Sequence, residues 1–194
     1  MLTLTNLLQA MGLGKTLEMI ANIINDRPRK PQPGEPIATL IVLPATLVTQ
    51  WHDELKKHVD PRQRLSILEW KAGSRPETHD TVDTLSKFDI VLTTYYEVRN
   101  SYPKAEVPIE LQTSEEKNAW WREYFELHKG FLHSVQWRRV VLDEAQAIKN
   151  YRSATSLACR ALKAKFKWAL SGMSPLHSDI SIRMIASRPP ICWH

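Results

Sequence analysis

Two rhythms of apolar residues alternate along the chain. Residues 37–43 (Ile-Ala-Thr-Leu-Ile-Val-Leu) form a continuous run rich in β-branched side chains, and residues 89–94 and 139–142 repeat the type. Runs of this kind suit strands buried on both faces. Between them the spacing changes to three and four. Leu47, Trp51 and Leu55 predict a helix that Thr46 caps and that runs to about His58. Further strands are expected at 65–70 and 166–170, and a helix at 80–87. Ser114 to Lys129 returns to helical spacing with Trp121, Phe125 and Leu127 as its apolar members, inside an insertion covering about 100–135. Ser153 is placed to cap a helix to about Ala164, with Leu157, Ala161 and Leu162 facing inward.

Prolines mark the gaps. Residues 26–36 carry four and form a loop, a Gly-Ser-Arg-Pro turn sits at 73–76, and 100–113 is polar with two more prolines. Strands that are apolar runs, alternating with helices, indicate an α/β fold in which a parallel sheet lies between two helix layers. Ligands in such folds bind at the carboxyl ends of the strands. Pro44-Ala45-Thr46, Thr93-Thr94, Asp143-Glu144 and Ser171-Gly172 all fall there.

One further stretch shares that placement. Met11-Gly12-Leu13-Gly14-Lys15-Thr16 reads as a phosphate-binding loop opening a helix from Thr16 to about Ile24. Two glycines let backbone N–H groups approach a polyphosphate. Lys15 supplies charge for the β- and γ-phosphates, and Thr16 a hydroxyl for Mg²⁺. The helix turns its positive end toward them. A buried strand normally precedes such a loop; Leu4, Leu7 and Leu8 are a thin candidate, so the start is expected to be clipped.

Asp143-Glu144, delivered by an apolar strand, has the form of the matching acidic element. Asp143 would hold Mg²⁺ largely through water, and Glu144 would orient or deprotonate the attacking water. By themselves two acidic residues simply favour the start of the next helix; the phosphate loop on another strand shifts the reading to catalysis. Gln146 either links this element to Ser171-Gly172 or is a surface polar residue.

Composition changes this picture little. Of 194 residues 43% are apolar and 24% charged, and the net charge of +5 suits an anionic partner without requiring one. Cys159 and Cys192 match no zinc or disulfide spacing, which makes a reducing compartment the default and Cys159 a small buried residue. No apolar run approaches the roughly 18 residues of a membrane span. Arg27-Pro28-Arg29-Lys30 reads as a solvated loop in preference to a nuclear address.

Five motifs in order then carry a resemblance: Met-Gly-Leu-Gly-Lys-Thr at 11–16, Leu-Ile-Val-Leu-Pro-Ala-Thr-Leu-Val-Thr-Gln-Trp at 40–51, Asp-Ile-Val-Leu-Thr-Thr-Tyr at 89–95, Asp-Glu-Ala-Gln-Ala-Ile-Lys-Asn at 143–150, and Trp-Ala-Leu-Ser-Gly at 168–172. Together they resemble the first RecA-like lobe of the Swi/Snf-type DNA-dependent ATPases of helicase superfamily two. The insertion before Asp143 is similar to that of the DNA-repair and ubiquitin-linked branch. The resemblance implies a lobe over residues 1–178 and an irregular tail over 179–194. It implies ATP and Mg²⁺ as cofactors, with Met11, Gly12, Leu13, Gly14, Lys15 and Thr16 around the nucleotide, Thr16 and Asp143 at the metal, and Lys15, Glu144 and Gln146 in catalysis. It also implies a nuclear protein that moves on duplex DNA or chromatin. Thr46, Gln50, Thr93, Thr94 and Tyr95 lie in the family's DNA-tracking segments; Trp51 lies there too, though core packing of its helix is the preferred reading.

Departures qualify the resemblance. Gln9-Ala10 stand where the family has Asp-Glu, and Ser171-Gly172-Met173-Ser174-Pro175 is one residue longer than the family's motif. The second lobe, which supplies arginines for hydrolysis, is expected to lie outside these residues, so this chain alone is expected to bind nucleotide weakly and turn it over little. The alternative is a catalytically inactive nucleotide- or DNA-binding module. A small-molecule phosphotransferase is a weaker rival, because no acceptor-pocket signature accompanies the acidic element.

Overall fold

The computed structural model describes residues 14–28, 30–76 and 78–171, together with the backbone of residues 3–8. Six strands form one sheet: Thr3–Leu8 (β1), Thr39–Leu43 (β2), Ile67–Trp70 (β3), Ile90–Thr94 (β4), Trp137–Leu142 (β5) and Ala164–Ser171 (β6). Their order is β1-β6-β5-β2-β4-β3 and every pair is parallel. Helices Lys15–Asn25 (α1), Val48–His58 (α2), Thr81–Lys87 (α3), Tyr95–Asn100 (α4), Ser114–His128 (α5), Phe131–Ser134 (α6) and Ala154–Ala161 (α7) complete the fold.

The alternation of side chains along each strand sorts the core into two halves. Leu40, Val42, Val91, Val140 and Leu142 point to one face, where Val98 of α4, Leu132 of α6 and Ala158 of α7 cover them. Ile41, Leu43, Ile90, Leu92 and Val141 point to the other, against Met19, Ile20 and Ile23 of α1 and Val48, Trp51 and Leu55 of α2. Continuous apolar runs are therefore needed because both faces are covered; each large side chain so buried contributes about 1.5–3 kcal/mol. This is the expected three-layer arrangement.

The thin leading segment is a strand. β1 runs parallel to β6 with Leu8 opposite Ser171. Ser153 caps α7 and Asp80 caps α3, each accepting the N–H three residues on. Thr113 and Glu116 form a reciprocal capping box at the start of α5.

Three expectations are corrected. Thr46 caps no helix: Leu47 donates its N–H to the Pro44 carbonyl at 3.0 Å, and this single 3₁₀ turn over Ala45–Leu47 delays α2 to Val48. Leu127 is 73% exposed. The helix packs inward through Trp121 and Phe125, and Leu127 lies roughly 120° round from that line. The third concerns α4, a short helix in a stretch where no element was expected; Thr94 caps it by accepting the Glu97 N–H at 3.2 Å.

His133 of α6 is fully buried between Ser101 and α7. Its Nε2–H donates to the Ala158 carbonyl at 2.9 Å, which leaves Nδ1 to accept from the Ser101 hydroxyl at 3.0 Å. Burial pulls its pKa down to about 4. The unfolded chain protonates this ring near 6.5 and the folded chain does not, so stability is complete above pH 6.5 and is lost as pH falls toward 4. Chemical denaturation at pH 7 and pH 5 should differ by about 2 kcal/mol. A difference near zero would mean that the ring is charged or exposed in solution.

Candidate nucleotide site

Gly14 begins the site. It stands at the N-cap of α1 with φ +81°, and its carbonyl accepts the Glu18 N–H at 2.9 Å. A Cβ there would meet nothing within 4 Å, so the backbone conformation rather than crowding calls for glycine. Lys15 and Thr16, both half-buried, are the first two residues of the helix. Met11, Gly12 and Leu13 lie outside the described residues, as do Gln9-Ala10 and everything after Ser171.

Asp143 follows directly from β5, with its N–H donated to the Val42 carbonyl at 2.9 Å. Its carboxylate is held at both oxygens: the Trp51 indole N–H donates to Oδ2 at 2.7 Å, and the Glu144 amide donates to Oδ1 at 2.8 Å. Tyr95 completes the clasp by donating its hydroxyl to the Asp143 carbonyl at 2.7 Å. Burial raises the Asp143 pKa, opposed by the Trp51 and Glu144 hydrogen bonds and by the charge of Lys15. The Lys15 charge is the smallest of these influences.

Glu144 adopts a left-handed backbone, φ +50° and ψ +51°. For a non-glycine residue this is strained by about 1–3 kcal/mol, a feature that gathers at functional sites. Its Oε2 is buried and has no hydrogen-bond partner among the described residues. An orphaned acceptor costs about 1–3 kcal/mol unless something fills the space. Asp143 and Glu144 bring hard oxygen donors, the type that Mg²⁺ takes, to the carboxyl end of one strand, and among the described residues no group of three or more acidic, His or Cys side chains forms around them.

Gln146 is exposed, and the Ser171 hydroxyl donates to its Oε1 at 3.4 Å, a long bond between the strand-end loops of β5 and β6. Thr46 and Gln50 are exposed on the first turns of the β2–α2 connection, and Thr94 is half-exposed with its hydroxyl engaged as a cap. Thr93 and Tyr95 do not offer their side chains to a partner. The Thr93 hydroxyl donates to the Trp70 carbonyl at 2.9 Å, and Tyr95 is turned in toward Asp143. Both point inward because even-numbered alternation and the tight turn at Thr94 leave the protein interior as their only direction. Trp51 is core, as preferred, and also the ligand that fixes Asp143. The signal available for that role was a buried indole N–H, which needs an acceptor.

Comparison with known proteins decides the family. The model of the SNF2-related domain matches residues 6–181. The chain belongs to the SNF2-related domain family. Among curated SNF2-type relatives, the helicase-like transcription factor CHR28 of Arabidopsis thaliana is 36% identical over 73% of this chain and 17% of its own length. The DNA repair protein RAD5A of the same plant is 36% identical over 73% of this chain and 11% of its own. An ATP-dependent helicase of Schizosaccharomyces pombe is 31% identical over 94% of this chain and 17% of its own. The chain thus spans about a sixth or less of the length of these relatives. Among solved structures, the Sulfolobus solfataricus SWI2/SNF2 ATPase core in complex with dsDNA superposes with a TM-score of 0.63 at 24% identity, over 93% of this chain and 31% of that one. This SNF2-related chain therefore has the α/β fold of that core.

Proposed function

We propose that this chain is the nucleotide-binding lobe of an ATP-dependent DNA translocase. The observation that supports the reading is a parallel sheet in which α1 opens at left-handed Gly14 with Lys15 and Thr16, and β5 delivers Asp143 and Glu144 at its carboxyl end. Lys15 and the α1 N-terminus would bind the phosphates of ATP, with Met11, Gly12 and Leu13 supplying the rest of the loop. Thr16 and Asp143 would hold Mg²⁺, and Glu144 would take the proton of the attacking water. Mg²⁺ when bound would neutralise charge developing on the phosphates. Gln146 would tie this site to the end of β6. A second RecA-like lobe, closing on the first, would complete the site for hydrolysis.

Duplex DNA or chromatin is the proposed track. Thr46 and Gln50, with Thr94 beside them, present small polar groups at strand ends, which suits phosphate contacts that position a duplex without reading its sequence. Two relatives are named as a DNA repair protein and a transcription factor, and the solved core is described with dsDNA. A nuclear protein fits that company. Titration with a labelled duplex tests the reading. Affinity should fall about ten- to a hundredfold between 50 and 200 mM salt and be indifferent to sequence. Binding that ignores salt, or that depends on one sequence, would contradict it.

A further inference from the structure

We propose that Trp51 and Tyr95 are positioning residues that join the DNA-facing segments to the metal-holding carboxylate of Asp143. This rests on the function proposed above. Trp51 directly follows exposed Gln50, and Tyr95 directly follows Thr94. Trp51 is buried behind exposed Gln50 and Tyr95 behind half-exposed Thr94, at 1% and 8% exposure. They reach Asp143 from opposite sides of the sheet. Trp51 comes from the layer of α1 and α2, and Tyr95 from the layer of α4 and α7.

Their polar tips do different work. The indole N–H fixes carboxylate oxygen Oδ2, and the phenol fixes the backbone carbonyl, both at 2.7 Å. With the Glu144 amide on Oδ1, the carboxylate is set in rotation and the main chain beneath it is set in height. Packing alone does not account for this. A phenylalanine would fill the Tyr95 space and a larger apolar group the Trp51 space, whereas here both donors are spent on the same acidic residue. Trp51 is also embedded in α2 with Val48 and Leu55, so any tilt of the α2 N-terminus on a phosphate strand carries the indole N–H with it. Tyr95 stands at the first position of α4 and would move likewise with Thr94. DNA engagement at either segment would then be felt at Asp143, and by reciprocity nucleotide with Mg²⁺ would be felt by DNA.

The test is equilibrium titration of the chain with a fluorescent ADP analogue, in Mg²⁺ and in EDTA, with and without a duplex. Wild type, Trp51→Phe and Tyr95→Phe are compared. Wild type should bind more tightly with Mg²⁺ than without, and the duplex should change that affinity. In each variant the gain from Mg²⁺ should shrink about three- to tenfold, the size expected for losing one hydrogen bond at a charged group or its backbone support. The effect of the duplex on nucleotide affinity should vanish. Binding in EDTA, and duplex affinity without nucleotide, should stay unchanged, which a general packing defect would not permit. If Trp51→Phe fails to fold, Tyr95→Phe, which removes one oxygen from an unchanged ring, carries the test. Variants that keep both the Mg²⁺ gain and the duplex effect overturn the inference, as does a wild-type chain whose Mg²⁺-dependent binding ignores duplex. A wild-type chain that binds no nucleotide at all fails the function proposed above, and the inference falls with it.

Discussion

Replacing Asp26 with alanine should lower the folding free energy by about 3 kcal/mol. Asp26 lies at the end of the sheet opposite the nucleotide site, just after α1. One carboxylate there accepts from two neighbouring guanidiniums: Arg138 through Nε at 3.2 Å and Nη2 at 3.0 Å, and Arg139 through Nη2 at 2.6 Å. Glu35 adds a bond to Arg138 at 3.0 Å. The Arg139 side chain is only 3% exposed, and burial pulls its pKa down against the attraction of Asp26. Without Asp26, Arg138 keeps Glu35 while Arg139 keeps no carboxylate partner among the described residues, where its Nε is already without one.

Removing one partner of a buried pair costs about 3–5 kcal/mol. The low end applies because the Asp26 side chain is 42% exposed, so water can enter and solvate part of the freed charge. Urea denaturation of Asp26→Ala beside the wild type measures the loss. The double variant Asp26→Ala, Arg139→Met should recover much of it, because an apolar side chain at a buried position needs no counter-charge. A loss under 1 kcal/mol in the single variant would show that the network is a surface feature.

That network explains a limit of reading the sequence. Residues 26–36 announce a loop through their prolines, but nothing in their spacing shows that Asp26 and Glu35 are bound to residues more than 100 positions away. Apolar runs, by contrast, declare both partners at once: a strand buried on two faces implies a sheet with two covers, and β2, β4 and β5 were placed from their own residues. The α5 helix was legible in extent and not in orientation, since Leu127 matched a helical spacing without lying on the packed line. β1 was faint because pairing with β6, a backbone property, defines it.

The site divides the same way. Gly14, Lys15, Asp143 and Glu144 are proposed from sequence because phosphate and metal chemistry call for those residue types at such turns; the structure adds the left-handed backbone of Gly14 and Glu144. The burial of the Thr93 and Tyr95 side chains was not legible, because a motif fixes position along the chain while side-chain direction depends on strand parity and on the cap at Thr94. The clasp on Asp143 joins Trp51 of α2, Tyr95 of α4 and the end of β5, and only the fold brings them together.

Lys15→Ala should cut nucleotide affinity by about ten- to a hundredfold, corresponding to the loss of a charged hydrogen bond of about 1.5–3 kcal/mol. Lys15 opens α1 immediately after the left-handed Gly14, where the helix presents its free N–H groups. Burial raises the Asp143 pKa, and the Lys15 charge is a small influence against it. A polyphosphate bound there would be the strongest anion within reach, and alanine keeps the helix while removing the ammonium. Calorimetric titration of the wild-type chain with ATP and Mg²⁺, beside Lys15→Ala of equal thermal stability, is the most direct test of a nucleotide site at this sheet edge. The account predicts saturable one-to-one binding that weakens at least tenfold in the variant. Equal binding by both proteins, or no binding by the wild type, would contradict it.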